Sequence, residues 1–160
     1  MPVNPNMIVV EAMPTGTGSS LGLSLACATP GVVTSGGAGL DLSGIGKPVY
    51  VLVKLVGAAG LRFVAQPADA AWFGHGTGKP TGPGTAGGRF EPDAVSYDGD
   101  MLLFRAAGQG GPKPAGQAAQ SQFAALLRFE STTTATPTQQ TGTTTLAAAV
   151  KSGGPIIIND

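Results

Sequence analysis

Charge is what this sequence has least of. Nine Lys/Arg and nine Asp/Glu make up 11% of its 160 residues and cancel to a formal net charge of zero, against about a quarter charged in an ordinary soluble domain. The cations are scattered singly from Lys47 to Lys151. No cluster of the kind that displaces counterions from phosphate is present, which argues against nucleic acid as a partner. Large apolar residues are also few, with Val, Ile, Leu and Phe supplying 36 residues. One modest core fits that supply in a chain whose folding buries roughly two-thirds of its surface. A single cysteine, Cys27, excludes an intrachain disulfide and suits a reducing cytosol. The longest apolar region, residues 49–65, is interrupted by Lys54 and Arg62, whereas a membrane-spanning helix needs about 20 apolar residues. Residues 1–13 lack the basic start of a signal peptide and contain only the short apolar run 7–10, so neither export nor a membrane partner is expected.

What fills the chain instead is Gly, 26 residues, and Pro, 13, with abundant Ala and Thr-rich stretches. Period-2 alternation is the clearest pattern. Across residues 48–56, Val49, Val51, Val53 and Leu55 share one face and Lys54 takes the other. Gly57-Ala58-Ala59-Gly60 and then Leu61, Phe63 and Ala65 alternating with Arg62 suggest a hairpin. A second hairpin is expected from residues 94–97 and 100–105 around Asp98-Gly99, a pair suited to a type I′ turn. Leu21, Leu23 and Leu25 alternate with Gly22, Ser24 and Ala26; residues 7–12 form a short apolar run, and residues 40–42 a brief edge strand. Residues 123–130 alternate as a strand, with a helix over 115–128 as the alternative. Residues 143–152 suit one or two helical turns stopped by Gly153, and Ile156, Ile157 and Ile158 a terminal strand.

These elements predict one all-β domain over residues 1–160, an antiparallel sandwich or jelly-roll-like barrel. Long Gly/Pro-rich loops run over residues 74–88 and 106–116, and residues 1–20 and 131–160 are expected as extended arms. Loops of that length are functional contacts or disordered. Low charge removes the usual lysine defence of edge strands, so the edges are expected to be covered by partner chains or arms. Met7, Ile8, Val9, Val10, Ile156, Ile157 and Ile158 are the candidate arm residues, able to add to a neighbour's sheet, and Trp72 with Phe73 is a candidate contact patch or part of the core.

The chemistry-bearing residues give no catalytic signature. Gly74-His75-Gly76-Thr77-Gly78-Lys79-Pro80 fails as a phosphate cradle because Pro80 stands where Ser or Thr would hold the metal, and Phe73 where the first glycine belongs. Cys27 and His75, the only thiol and the only imidazole, form a conceivable nucleophile and base. Cys27 nevertheless sits in Leu25-Ala26-Cys27-Ala28, the setting of a small core residue. One His and one Cys do not supply a usual zinc site. Asp98 and Asp100, with Glu91 and Asp93 nearby, read as turn residues, lacking the ligand spacing of a calcium loop. No Gly-x-Ser-x-Gly elbow surrounds Ser19, Ser20 or Ser131. No catalytic, cofactor or metal residue is assigned, and no enzyme activity is expected.

The N-terminal Thr/Gly/Ser/Leu-rich segment, the run Leu40-Asp41-Leu42-Ser43-Gly44-Ile45-Gly46-Lys47-Pro48 leading into Val49-Tyr50-Val51-Leu52-Val53, and the Ala/Gly-rich balance resemble the head-decoration, or cementing, proteins of tailed bacteriophages over about the first 65 residues. That resemblance implies a β-sandwich that oligomerises and bridges capsomers. It would sit on the capsid exterior of a virion assembled in the host cytoplasm, with the major capsid protein and copies of itself as partners. Two alternatives stand beside it: a surface-binding module such as a fibre or receptor- or glycan-binding domain, and another virion part such as a tail tube protein. On the arm reading, deleting residues 1–12 or 154–160 is expected to weaken incorporation and leave the β core folded.

Overall fold

The computed structural model describes residues 6–15, 20–34, 37–42, 45, 48–57, 60–107, 122–131, 151–153 and 156–159. Among these the chain is all-β apart from one turn of helix, α1 (Pro67–Ala70). Its strands are β1 (Asn6–Thr15), β2 (Ser20–Cys27), β3 (Gly39–Asp41), β4 (Val49–Leu55), β5 (Leu61–Phe63), β6 (Ala71–His75), β7 (Phe90–Val95), β8 (Met101–Ala106), β9 (Gln122–Ser131), β10 (Lys151–Gly153) and β11 (Ile156–Asn159). Hydrogen bonds link them in the order β3-β11-β9-β10-β2-β1-β4-β8-β7, with β5 and β6 also on β9.

β4 forms for the reason its alternation gives: Val49, Val51, Val53 and Leu55 are buried and Lys54 is exposed. Its partners, however, are distant. β1 pairs with it in parallel and β8 antiparallel, while β5 pairs with β9. The expected hairpin of residues 48–65 is therefore absent, and Ala58 and Ala59 lie outside the described residues. The β7–β8 hairpin is present, with Val95 opposite Leu102 and Ala94 opposite Leu103. Its turn is not type I′. Ala86 is the sole described non-glycine with positive φ, so only Gly99 (φ 74°) of the Asp98-Gly99 pair is left-handed. The Gly99 N–H closes the turn on the Ser96 carbonyl at 2.9 Å.

β9 organises the second layer. Each edge of this ten-residue strand serves two short partners, β11 and β10 on one side and β6 and β5 on the other. Residues 123–127 are all buried, so both faces of its first half are covered and the one-sided alternation expected there holds only from Arg128 onward. Residues 122–128 are strand, which settles the helix alternative for that stretch; residues 115–121 lie outside the described residues. So do 143–150 of the expected helical turns, while Lys151–Gly153 is extended as β10. The sandwich is also not purely antiparallel, because β1–β4, β10–β2 and β11–β3 are parallel pairs.

The core lies between the layers. Val10, Leu25, Val53 and Phe104 face Leu40, Ala125, Leu127, Ile156 and Ile158 across one apolar cleft. All six phenylalanines of the chain are buried, none more than 3% exposed. Phe73 stacks on Phe90 with centroids 5.0 Å apart and meets Phe104 at 5.1 Å, and Phe90 meets Phe123 edge-on at 5.1 Å. Each buried Phe contributes about 1.5–3 kcal/mol from burial alone, so a chain short of large apolar residues concentrates them here.

The edges are protected by the chain itself. β7 ends one side with Pro92, which cannot donate to a neighbour, a bulge between Pro92 and Ala94, and exposed Asp93. β3 ends the other with three residues. The free edge of β6 is met by the Gly/Pro-rich loop, where the Phe73 N–H donates to the Gly84 carbonyl at 2.9 Å and Thr85 bridges Phe73. A Cβ on Gly84 would lie 2.8 Å from the Phe73 carbonyl oxygen, so only glycine lets the loop come this close. The edge of β5 is met by the β7–β8 turn, through the Phe63 N–H to the Gly99 carbonyl at 2.7 Å. The described loop over residues 74–88 thus covers the edge of β6.

Candidate functional site

Strand β1 is a central strand, not an arm, and this decides what its side chains can do. Ile8, Val10 and Ala12 point inward and are buried, while Met7, Val9 and Met13 point outward at 54%, 44% and 45% exposure. Outward apolar residues in the middle of a sheet are unusual, because a half-buried strand normally turns polar residues to water. Register extends the pattern sideways. Val9 lies beside Leu52 of β4, Leu52 beside Leu103 of β8, and Leu103 beside Ala94 of β7, a transverse apolar row across four strands.

The rows on either side carry the charges, in opposite-sign pairs. On one, Met7 lies beside Tyr50 and Tyr50 beside Arg105, whose guanidinium donates to the Glu91 carboxylate. That hydrogen bond, then the charge of Glu91, holds the Arg105 guanidinium above its ordinary pKa. On the other row Glu11 lies beside Lys54 in register, both exposed, with Met101 next across the sheet. An apolar centre bounded by neutralised charges, with Met, Tyr and Arg at its rim, has the anatomy of a protein contact surface.

The sequence candidates separate cleanly on this geometry. Met7 and Val9 lie on the outer face. Ile8, Val10, Phe73, Ile156 and Ile158 are 6%, 0%, 3%, 5% and 0% exposed, so they belong to this chain's own core. Ile157 is half-buried in β11, which pairs with β9 and β3 inside the chain. The extended arms expected at residues 1–20 and 131–160 are, where described, β1, the start of β2, the last residue of β9, β10 and β11 of the sandwich; residues 1–5, 16–19, 132–150, 154–155 and 160 lie outside the described residues. Trp72 is half-buried on the opposite face of β6 from Phe73, with the Arg128 guanidinium 4.0 Å from its ring centroid. Arg128 also donates to the Asp69 carbonyl at 3.0 Å.

Met13, Tyr50, Leu52, Met101 and Leu103 were missed as surface residues. The available signal was that residues 7–10 and 101–104 are apolar in both phases of the alternation, which an ordinary half-buried strand is not.

The remaining candidates lie on β2, at the end of β6 and in the β7–β8 turn. Cys27 is half-buried and packs on the core edge. His75 is exposed at the end of β6, its ring 5.5 Å from that of Phe123. Asp100 accepts from the Ser96 hydroxyl at 2.8 Å, and that hydroxyl accepts the Met101 N–H at 3.0 Å, so this carboxylate serves the turn. Among the described residues no three His, Cys, Asp or Glu side chains gather as a metal site, and no helix is long and apolar enough to cross a membrane. No protein-family model matches the chain, and no curated protein matches it.

Proposed function

We propose that this chain is a non-enzymatic structural protein of a virion, a decoration or cement protein that stabilises a shell by burying its outer β1-β4-β8 face against capsid protein and copies of itself. The observation that carries this reading is the exposure of Met7, Val9 and Met13 at the centre of a sheet whose β7 edge is blunted by Pro92 and a bulge. Edge-to-edge pairing is disfavoured, so association proceeds through the face. Weak contacts of this kind become strong when many are made at once on a lattice. The near absence of net charge removes the repulsion that keeps soluble monomers apart.

The test is to mix the purified protein with shells lacking a decoration layer and measure bound mass and shell melting. Saturable binding that raises the melting temperature is expected. No binding, or binding that leaves shell stability unchanged, overturns the reading.

A second reading is favoured by one residue. Tyr97 is fully exposed at the tip of the β7–β8 hairpin, the kind of amphipathic ring that recognition loops present. A surface-binding module would lose receptor or glycan retention on Tyr97→Ala, whereas a cement protein would bind shells as before.

A further inference from the structure

We propose that residues 76–88 are a releasable strap, closed over the free edge of β6 in this structure, that swings off as a unit while β6 stays on β9. The proposal stands apart from the assembly reading. Alternation fixes which groups the strap guards. The Gly76 N–H donates to the Gln122 carbonyl at 2.9 Å, and Gly74 and Trp72 lie opposite Ala124 and Leu126 in the same antiparallel ladder. The backbone of residues 72, 74 and 76 therefore faces β9, and that of Phe73 faces the strap. β6 reads Ala71-Trp72-Phe73-Gly74-His75, with no lysine, arginine or proline to blunt this edge, and an uncovered edge is a template for another strand. The strap does for β6 what Pro92 and the bulge do for β7.

Little holds it down. Its ties to the sheet are the Phe73 N–H to the Gly84 carbonyl at 2.9 Å, with the Thr85 bridge beside it, and the Phe90 N–H to the Thr85 carbonyl at 3.0 Å. From residue 76 to residue 88 only Ala86 is buried, and it alone joins the core. That anchor is itself strained: Ala86 has a φ of 52°, and a left-handed alanine weights the equilibrium toward release by roughly 5- to 30-fold relative to an unstrained residue. Both ends carry glycine with positive φ, Gly76 at 79° and Gly87 and Gly88 at 71° and 86°, so the backbone turns there with no side chain in the way. Few buried contacts, exposed hydrogen bonds and glycine ends define a segment at the low end of a protein's local stabilities.

The experiment is amide hydrogen exchange of the full chain, resolved by NMR, on wild type, Gly84→Ala and Gly78→Ala. A Cβ on Gly84 would stand 2.8 Å from the Phe73 carbonyl oxygen, whereas one on Gly78 meets nothing within 4 Å, so the first substitution pushes the strap away and the second leaves it in place. In wild type the Phe73 and Phe90 amides are expected to share one protection, at least about tenfold below that of Trp72 and Gly74. Gly84→Ala should speed Phe73 and Phe90 by a further roughly 5- to 100-fold and leave Trp72 and Gly74 unchanged, which also shows that the variant is folded; Gly78→Ala should stay within about twofold of wild type. Sedimentation velocity should show Gly84→Ala associating beyond wild type at equal concentration, because its edge is open. A wild type in which Phe73 is as protected as Trp72, a Gly84→Ala protein in which all four amides speed up together, or one no more associated than wild type overturns the proposal. Shell binding bears on the assembly reading alone.

Discussion

Val10 of β1 and Val53 of β4 lie opposite each other in a parallel pair, 0% and 2% exposed, so the N-terminal segment is built into the centre of the molecule. Deleting residues 1–12 removes the strand that joins β2 to β4, and the deletion should unfold the protein rather than release an intact core with weakened assembly. Circular dichroism decides: a cooperative melt retained by the truncated chain contradicts the central placement of β1.

The C-terminal strand makes the same case at single-residue scale. Ile158 is fully buried opposite Phe123. Ile158→Ala should cost about 2–5 kcal/mol, the range for truncating a large aliphatic side chain in a packed core. Urea unfolding measures it, and a loss below about 1 kcal/mol would mean that β11 is not part of the core.

Gly99 joins the two layers and is constrained twice. Its φ of 74° suits glycine, and a Cβ there would stand 2.6 Å from the Arg62 Cβ. Arg62 Cβ is fixed by its backbone and has little room to yield. Gly99→Ala should therefore cost about 2–4 kcal/mol from left-handed strain plus overpacking. Asp98→Ala, two positions from the Ser96–Asp100 hydrogen bond, is expected to fall within about 0.5 kcal/mol of wild type as an ordinary surface change. Comparable losses in the two variants would refute the specific role given to Gly99.

Trp72 is the chain's one tryptophan, so its fluorescence reports a single place. The Arg128 guanidinium lies over its ring at 4.0 Å. Arg128→Ala should shift the emission to longer wavelength as water reaches the indole, and cost about 0.5–2 kcal/mol. Unchanged emission would show that Arg128 does not shield the ring.

The Arg62–Glu130 ion pair, 2.7 Å apart and partly exposed, joins β5 to β9 at the surface. Arg62→Ala should lower stability by no more than about 1 kcal/mol, with the difference shrinking in salt. A salt-independent loss above about 2 kcal/mol would place the pair's contribution in packing of the arginine stem.

The sequence by itself determined that the protein is β, and which phase of most strands turns inward. Alternation such as Val49, Val51, Val53 and Leu55 is a local property, and the physical preference it encodes acts on adjacent residues. The β7–β8 hairpin was legible for the same reason, since its partners are joined by a short turn. Tertiary structure alone decided that β1 joins β4 in parallel, that β5 leaves β4 for β9, and that the terminal isoleucines complete this chain's core. Parallel and long-range pairings leave no mark in local spacing, because either strand would look the same beside a different partner. The exposed face was decided there too: Met7 and Val9 are as apolar as Ile8 and Val10, and only the layer packed against one side of β1 determines which pair is left facing water.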